Sequence, residues 1–510
     1  MKEQAMQLKH RRQKSDWLKS VVLTIAMGIW LLASTVSPAL ADPATLEQPN
    51  FVVILIDDLG WTDLGCYGSQ YYETPNIDRL AAKGVRFTNG YAACSVCSPS
   101  RAALLTGNYP ARIGITDWIR FRRKGKPPAG FESTAEYESV GGRLETPRNL
   151  FWLEHRHETI AEILGDAGYT SAHIGKWHLG PEDYYPERQG FDVNIAGCDY
   201  GMPATYFFPY ETKWQSRIYR LDGGKPGEYL TDRLANEAGK FIEEHRDQRF
   251  FLHYAPYSVH TPIEAKEELL AKYEAKPKAG QKNAAYAGMV ESVDDAVGTV
   301  LAKLEEMELS EKTVVIFTSD NGGYLNFTNN APLRGGKGMV YEGGLRVPFI
   351  VHWPGVTEVG AVKDTPVMGI DVLPTLLDIA GIEPNEEKPV DGVSLVPLLA
   401  DEGELERTGI YWHFPHYRGS DANPYGIVRA GDYKLIRQYE DGSTKLYNLR
   451  EDLSEEQDLV DTMPEKAKEL DLMLSKWLIG TGAKLPRPDP KHKEKTKTSS
   501  AAKSSNAAQP

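Results

Sequence analysis

Six consecutive apolar residues, Phe51-Val52-Val53-Ile54-Leu55-Ile56, run directly into two aspartates, Asp57 and Asp58. A run so short, so uniformly apolar and so rich in β-branched residues predicts a strand buried on both faces. Similar segments recur at residues 169–174, 249–254, 313–318 and 347–352. Helical patterns alternate with them, at 76–83, 159–167, 229–245, 283–307 and 371–380. This alternation predicts an α/β fold: a large, mostly parallel sheet flanked by helices on both faces.

The texture changes near residue 400. Short alternating runs at 426–429, 433–437 and 445–449 predict a smaller C-terminal antiparallel sheet, and 464–478 predicts a helix with Pro464 in its first turn. The expected layout is a main domain over 42–400 and a small α+β subdomain over 401–483. A tail over 484–510, made of Lys, Ser, Pro and Ala with almost no apolar residues, is expected to be disordered.

The first 41 residues have a different purpose. Lys9, Arg11, Arg12, Lys14 and Lys19 precede an apolar run from Val21 to Val36, and Ala39-Leu40-Ala41 gives a small-residue cleavage pattern. That order predicts a secretory signal peptide over 1–41, export to the periplasm or the medium, and no stable membrane span after cleavage. A formal net charge of -13 argues against general affinity for nucleic acid or anionic membranes. The four cysteines, Cys66, Cys94, Cys97 and Cys198, are too few for a disulfide framework and lack zinc-site spacing.

The reactive side chains follow the predicted strands. Asp57 and Asp58 come after the first, Lys176 and His178 after 169–174, His260 after 249–254, and Asp320 and Asn321 after 313–318. In an open parallel sheet the carboxyl ends of the strands form one edge, where ligands bind, so these clusters are expected to converge. Asp57, Asp58, Asp320 and Asn321 offer only oxygen, a donor set for a hard cation such as Ca²⁺ or Mg²⁺ rather than zinc. Each acid alone is an ordinary turn or capping residue; two side by side after a buried strand call for a cation. Cys97 precedes Ser98-Pro99-Ser100-Arg101 at the start of a predicted helix, where the helix N-terminus and Arg101 favour an anionic species.

Cys97-Ser98-Pro99-Ser100-Arg101, followed by Thr106-Gly107, resembles the signature of the formylglycine-dependent sulfatases, which share the alkaline phosphatase superfamily fold. Gly175-Lys176-Trp177-His178-Leu179-Gly180 and Asp320-Asn321-Gly322-Gly323 resemble two further motifs of that family. The resemblance implies that a maturation enzyme converts Cys97 to formylglycine, whose hydrate attacks the sulfur of a sulfate ester. It implies one Ca²⁺ held by Asp57, Asp58, Asp320, Asn321 and the modified Cys97. Arg101 and Lys176 would stabilise the hydrate, His178 would assist breakdown of the sulfated intermediate, and His260 and Lys337 would contact the sulfate and protonate the leaving oxygen. The family often has Pro before the histidine; here Val259 stands there.

The expected substrate is a sulfated carbohydrate or an aryl sulfate. The basic stretch 117–149 and the aromatic stretch 200–219 are candidates for the pocket mouth, Arg334 for a further sulfate contact, and His413 and His416 for reaching the site from the C-terminal part. Two rival classes are a phosphate or phosphonate ester hydrolase of the same fold and a non-catalytic glycan-binding protein.

Overall fold

The computed structural model describes residues 48–120, 133–213, 215–418 and 423–492. The expected signal segment, the tail beyond 492 and part of the basic stretch 117–149 lie outside the described residues.

The central sheet runs, edge to edge, through Ala361–Lys363, Val85–Phe87, Phe349–His352, Thr313–Ser319, Asn50–Ile56, Phe250–Ala255, Thr170–Gly175 and Val193–Ile195. The last five of these strands are mutually parallel. Asn50–Ile56 lies in the middle, and its continuous apolar run is explained by its two covered faces. Phe51, Val53 and Leu55 enter one core, while Val52, Ile54 and Ile56 enter the other. The first core is completed by helices Cys97–Thr106 and Val372–Ala380, and the second by Leu230–Glu244 and Ala284–Glu306.

The sheet is mixed rather than purely parallel. Phe349–His352 runs antiparallel to both its neighbours. A parallel return needs a crossover, usually a helix. Between Ser319 and Phe349 the chain forms only the four-residue helix Glu342–Leu345, and it comes back antiparallel. The strands Val85–Phe87, Val193–Ile195 and Ala361–Lys363 were not legible in the sequence, because three residues carry no usable periodicity.

The C-terminal sheet has four antiparallel strands, Ile410–Phe414, Tyr425–Ala430, Tyr433–Gln438 and Thr444–Asn448. Helix Pro464–Gly480 covers it, placing Leu470, Leu474 and Leu478 on Val428, Leu435 and Leu446. A buried ion cluster ties this sheet to helix Glu342–Leu345: Lys434 Nζ lies 3.0 Å from Glu342 and 2.8 Å from Glu455. The expected disorder from residue 484 does not hold up to 492. Arg487 and Pro488 pair with Glu145 and Leu144, and Arg487 Nε donates to Glu145 at 2.8 Å. Strand pairing draws on backbone groups, so a lack of apolar side chains did not forbid it. Among the described residues, no helix is long and apolar enough to cross a membrane.

Candidate active site

Four neighbouring parallel strands deliver the site. Ser319, Ile56, Ala255 and Gly175 end them, and Asp320, Asp57, the Pro256–His260 turn and Lys176 follow. The convergence expected from strand order is what the sheet produces.

Asp57 is fully buried, and its Oδ2 accepts from Lys176 Nζ at 2.6 Å. Lys176 N donates to Ala255 O at 2.6 Å, which fixes the turn after its strand. Asp58 has φ 62°, a left-handed conformation uncommon outside glycine. Its amide donates to Asp320 Oδ1 at 3.2 Å, and Leu59 N donates to Ser319 Oγ at 3.1 Å, so the turn is held from the neighbouring strand. Asp58 accepts from Lys337 Nζ at 2.7 Å and from Asn321 Nδ2 at 2.8 Å, and His260 Nε2 stands 3.7 Å away. Asp320 Oδ2 accepts from Arg101 Nε at 2.8 Å, and Arg101 Nη1 donates to Lys176 O at 2.8 Å. Three carboxylates thus face three cations in a nearly dry site.

Cys97 is the first residue of the buried helix Cys97–Thr106. The signature around it folds the segment locally. Ser100 Oγ donates to Cys94 O and Val96 O and accepts from Cys94 N, tightening the turn before Cys97. Gly107 closes the helix at φ 65°, a left-handed cap that favours glycine. Val96, the N-cap, makes no side-chain cap bond, so the first amides of the helix are not satisfied by it. All four cysteines are free thiols.

The charges set the protonation states. Burial pushes the Asp58 carboxyl up, but Lys337 and Lys176 more than offset this and hold it well below the usual carboxylate range. Asp320 is pushed up to about 6, by burial first and then by the charge of Asp57. Burial would lower the Lys337 ammonium, yet Asp58 and Cys97 outweigh it, so Lys337 stays charged. His260 is pushed down to about 3 by burial and then by Lys337, so it is neutral. Burial and Lys176 push His178 well below its ordinary value.

His178 also has a defined tautomer. Its Nε2 lies 2.5 Å from Ile119 O, a pure acceptor, so Nε2 carries the hydrogen. Nδ1 is then a lone-pair nitrogen, buried and without a hydrogen-bond partner among the described residues. Gly201 makes room for the ring: a Cβ there would lie 2.6 Å from His178 Cε1.

The donor set fits a hard cation on this structure's own terms. Two of its oxygens, Asp57 Oδ1 and Asn321 Oδ1, are buried with no hydrogen-bond partner among the described residues. Donor atoms of Asp57, Asp58 and His260 lie within 4.8 Å of one another.

Several expected lining residues are elsewhere. Arg334 donates to Glu455 O at 2.7 Å and stacks on Tyr341. His413 bonds Tyr439 and Lys484 O. Tyr206 and Tyr210, in the aromatic stretch, are fully buried; Tyr206 donates to Tyr257 O and His260 O, propping the turn beneath His260. Both Ser258–Val259 and Thr261–Pro262 are cis. The role of Ile119 was not foreseen, because a backbone carbonyl leaves no mark in a sequence.

The sulfatase family model matches residues 49–382, and a second, the C-terminal part of N-sulphoglucosamine sulphohydrolase, matches 336–481. A sulfatase from Formosa agariphila is 33% identical, with 89% of this chain and 94% of that protein covered. The N-acetylgalactosamine-6-sulfatase of Canis lupus familiaris is 34% identical, covering 79% of this chain and 75% of that one. Among solved structures, Ps i-CgsB in complex with k-i-k-neocarrahexaose aligns with a TM-score of 0.70 at 30% identity, covering 85% of this chain and 93% of that one.

Proposed function

The chain belongs to the sulfatase family and is a sulfuric ester hydrolase, and from that premise we propose that it removes sulfate from an exported-phase sulfated carbohydrate, using a formylglycine made from Cys97. The observation that carries the mechanism is His178: a neutral, buried imidazole whose lone-pair Nδ1 has no partner among the described residues, two residues from Lys176. The carbohydrate preference is supported by a relative named for N-acetylgalactosamine 6-sulfate and by a similar structure holding neocarrahexaose.

In this reading the maturation enzyme replaces the Cys97 thiol by an aldehyde, which hydrates to a geminal diol at the start of its helix. The helix amides not satisfied by Val96 face the charge that develops there. Asp57, Asp58, Asp320 and Asn321, with the modified Cys97, would hold Ca²⁺. When bound, the cation supplies Lewis-acid polarisation of the sulfate and lowers the cost of deprotonating the diol. Lys176 and Arg101 fix the carboxylates around it and hold the diol. One diol hydroxyl gives its proton to the Asp320 carboxylate as its oxygen attacks sulfur, and Lys337 and His260 contact the sulfate oxygens. The bond from sulfur to the sugar oxygen breaks as that oxygen takes a proton from Lys337. The second diol hydroxyl then gives its proton to His178 Nδ1, sulfate leaves with its bridging oxygen, and the aldehyde is restored.

The experiment is a peptide mass spectrum across Cys97, on protein produced with a maturing enzyme. The expected peptide has lost sulfur and gained oxygen, and Cys97→Ala protein turns over no sulfate ester. An unmodified thiol, beside a control sulfatase modified in the same cells, would overturn the mechanism.

A further inference from the structure

The proposed mechanism takes nothing from the C-terminal sheet, yet one of its cations stands at the rim of the site. Arg418 lies just beyond strand Ile410–Phe414. Its Nε would be 2.8 Å from a Cβ built on Gly338, so the guanidinium lies against the backbone one residue past Lys337. Gly338 N in turn donates to Ser95 O at 2.8 Å, two residues before Cys97. On its other side, Arg418 Nη1 is 3.6 Å from Asp117 Oδ1. Asp117 belongs to the segment 116–120, in which Ile119 O accepts from His178 and Ile119 N donates to Ser98 Oγ at 3.0 Å. Arg418 therefore sits between the loop that carries Lys337 and the segment that covers His178.

Its bonding is incomplete. Nη1 is buried and has no hydrogen-bond partner among the described residues, although the side chain as a whole is 31% exposed. By contrast, Arg112 forks onto Asp391, and Arg437 bonds Asp471 and Ser475. Asp117 does not do this for Arg418. At 3.6 Å the two form an ion pair beyond hydrogen-bond reach, and Asp117 Oδ1 also accepts from Trp118 N. A guanidinium offers five donors in a rigid fork matched to oxyanions.

We propose that Arg418 is a specificity-determining residue that binds a second oxyanion of the substrate, a carboxylate or a further sulfate ester, beside the sulfate being cleaved. The proposal rests on the sulfatase reading and deepens it: the catalytic half cleaves, and the C-terminal part selects for a neighbouring negative charge.

The test compares matured wild-type enzyme with R418M and R418K on two esters, 4-nitrophenyl sulfate and its carboxylated analogue 2-nitro-5-(sulfooxy)benzoate. In R418M the ratio of kcat/KM for the carboxylated ester to that for the plain ester is expected to fall about tenfold or more, carried by KM. R418K keeps the charge but not the fork, and an intermediate ratio is expected. An unchanged ratio, or an equal loss on both esters, would overturn the proposal while wild-type turnover leaves the sulfatase reading standing. A matured wild type that hydrolyses neither ester would overturn the proposal, while formylglycine at Cys97 would leave the sulfatase reading standing.

Discussion

Lys176 Nζ lies 2.6 Å from Asp57 Oδ2, and neither side chain is exposed to solvent. Removing the cation strands a buried carboxylate, which costs about 3–5 kcal/mol where nothing replaces it. Lys176→Met is expected to lose stability of that order in chelator, and less in excess Ca²⁺, because a Ca²⁺ held as proposed would compensate Asp57. Urea denaturation in both conditions checks this. Equal losses with and without Ca²⁺ would separate Asp57 from the metal.

Asp320 joins Arg101 to the turn of Asp58. Asp320→Asn keeps an oxygen but removes a charge that a hard cation needs. Wild-type protein is expected to gain about 2.7 kcal/mol of stability at a hundredfold excess of Ca²⁺ over its Kd. The variant is expected to need more Ca²⁺ for the same gain and to turn over sulfate esters more slowly. Identical Ca²⁺ titrations of the melting temperature would remove Asp320 from the metal site.

Gly107 caps the helix of Cys97 at φ 65°, and an added Cβ would lie 2.9 Å from Val390 Cγ1 and 3.3 Å from Leu373 Cβ. Backbone conformation and space both oppose a side chain there. Gly107→Ala is expected to cost about 1–3 kcal/mol in chemical denaturation. A change within experimental error would mean that the cap relaxes freely.

Asp294 sits on helix Ala284–Glu306 and accepts from Ile77 N at 2.8 Å and Asn76 N at 3.1 Å, at the start of helix Pro75–Lys83. Burial pushes its carboxyl up to about 6, against the lowering effect of those amides. The folded pKa is above the unfolded value, so the folded state holds the proton more tightly. The group's contribution is fully present below pH 4 and is lost as pH rises through 6. Asp294→Asn is expected to flatten the stability profile between pH 4 and 6, by roughly 3 kcal/mol at most. Superimposable pH profiles of the two proteins would show that Asp294 does not titrate in this window.

Much of this protein was legible in its sequence, for a simple reason. The five main strands are buried on both faces or nearly so, and burial of that kind writes continuous apolar runs such as Phe51–Ile56. The amphipathic helices read equally well, and their expected ends lie within a residue or two of the observed ones. Side chains that follow such strands must emerge at one edge, so the positions of Asp57, Lys176, His260 and Asp320 followed from strand order alone. Three-residue strands, the antiparallel turn-back of Phe349–His352 and the ordering of Arg487 by strand pairing left no such pattern.

What the sequence determined by itself was therefore the layered fold, the family and the identity of the charged residues at the sheet edge, because periodicity and local motifs are properties of contiguous chain. Only the tertiary structure decided how those charges are spent. It turned Asp58 and His178 into left-handed conformations. It gave His178 its tautomer through a carbonyl 59 residues away, withdrew Arg334 to Glu455, and brought Arg418 against Gly338. Each of these depends on which distant backbone happens to stand beside a side chain, and that is fixed by packing rather than by any pattern along the chain.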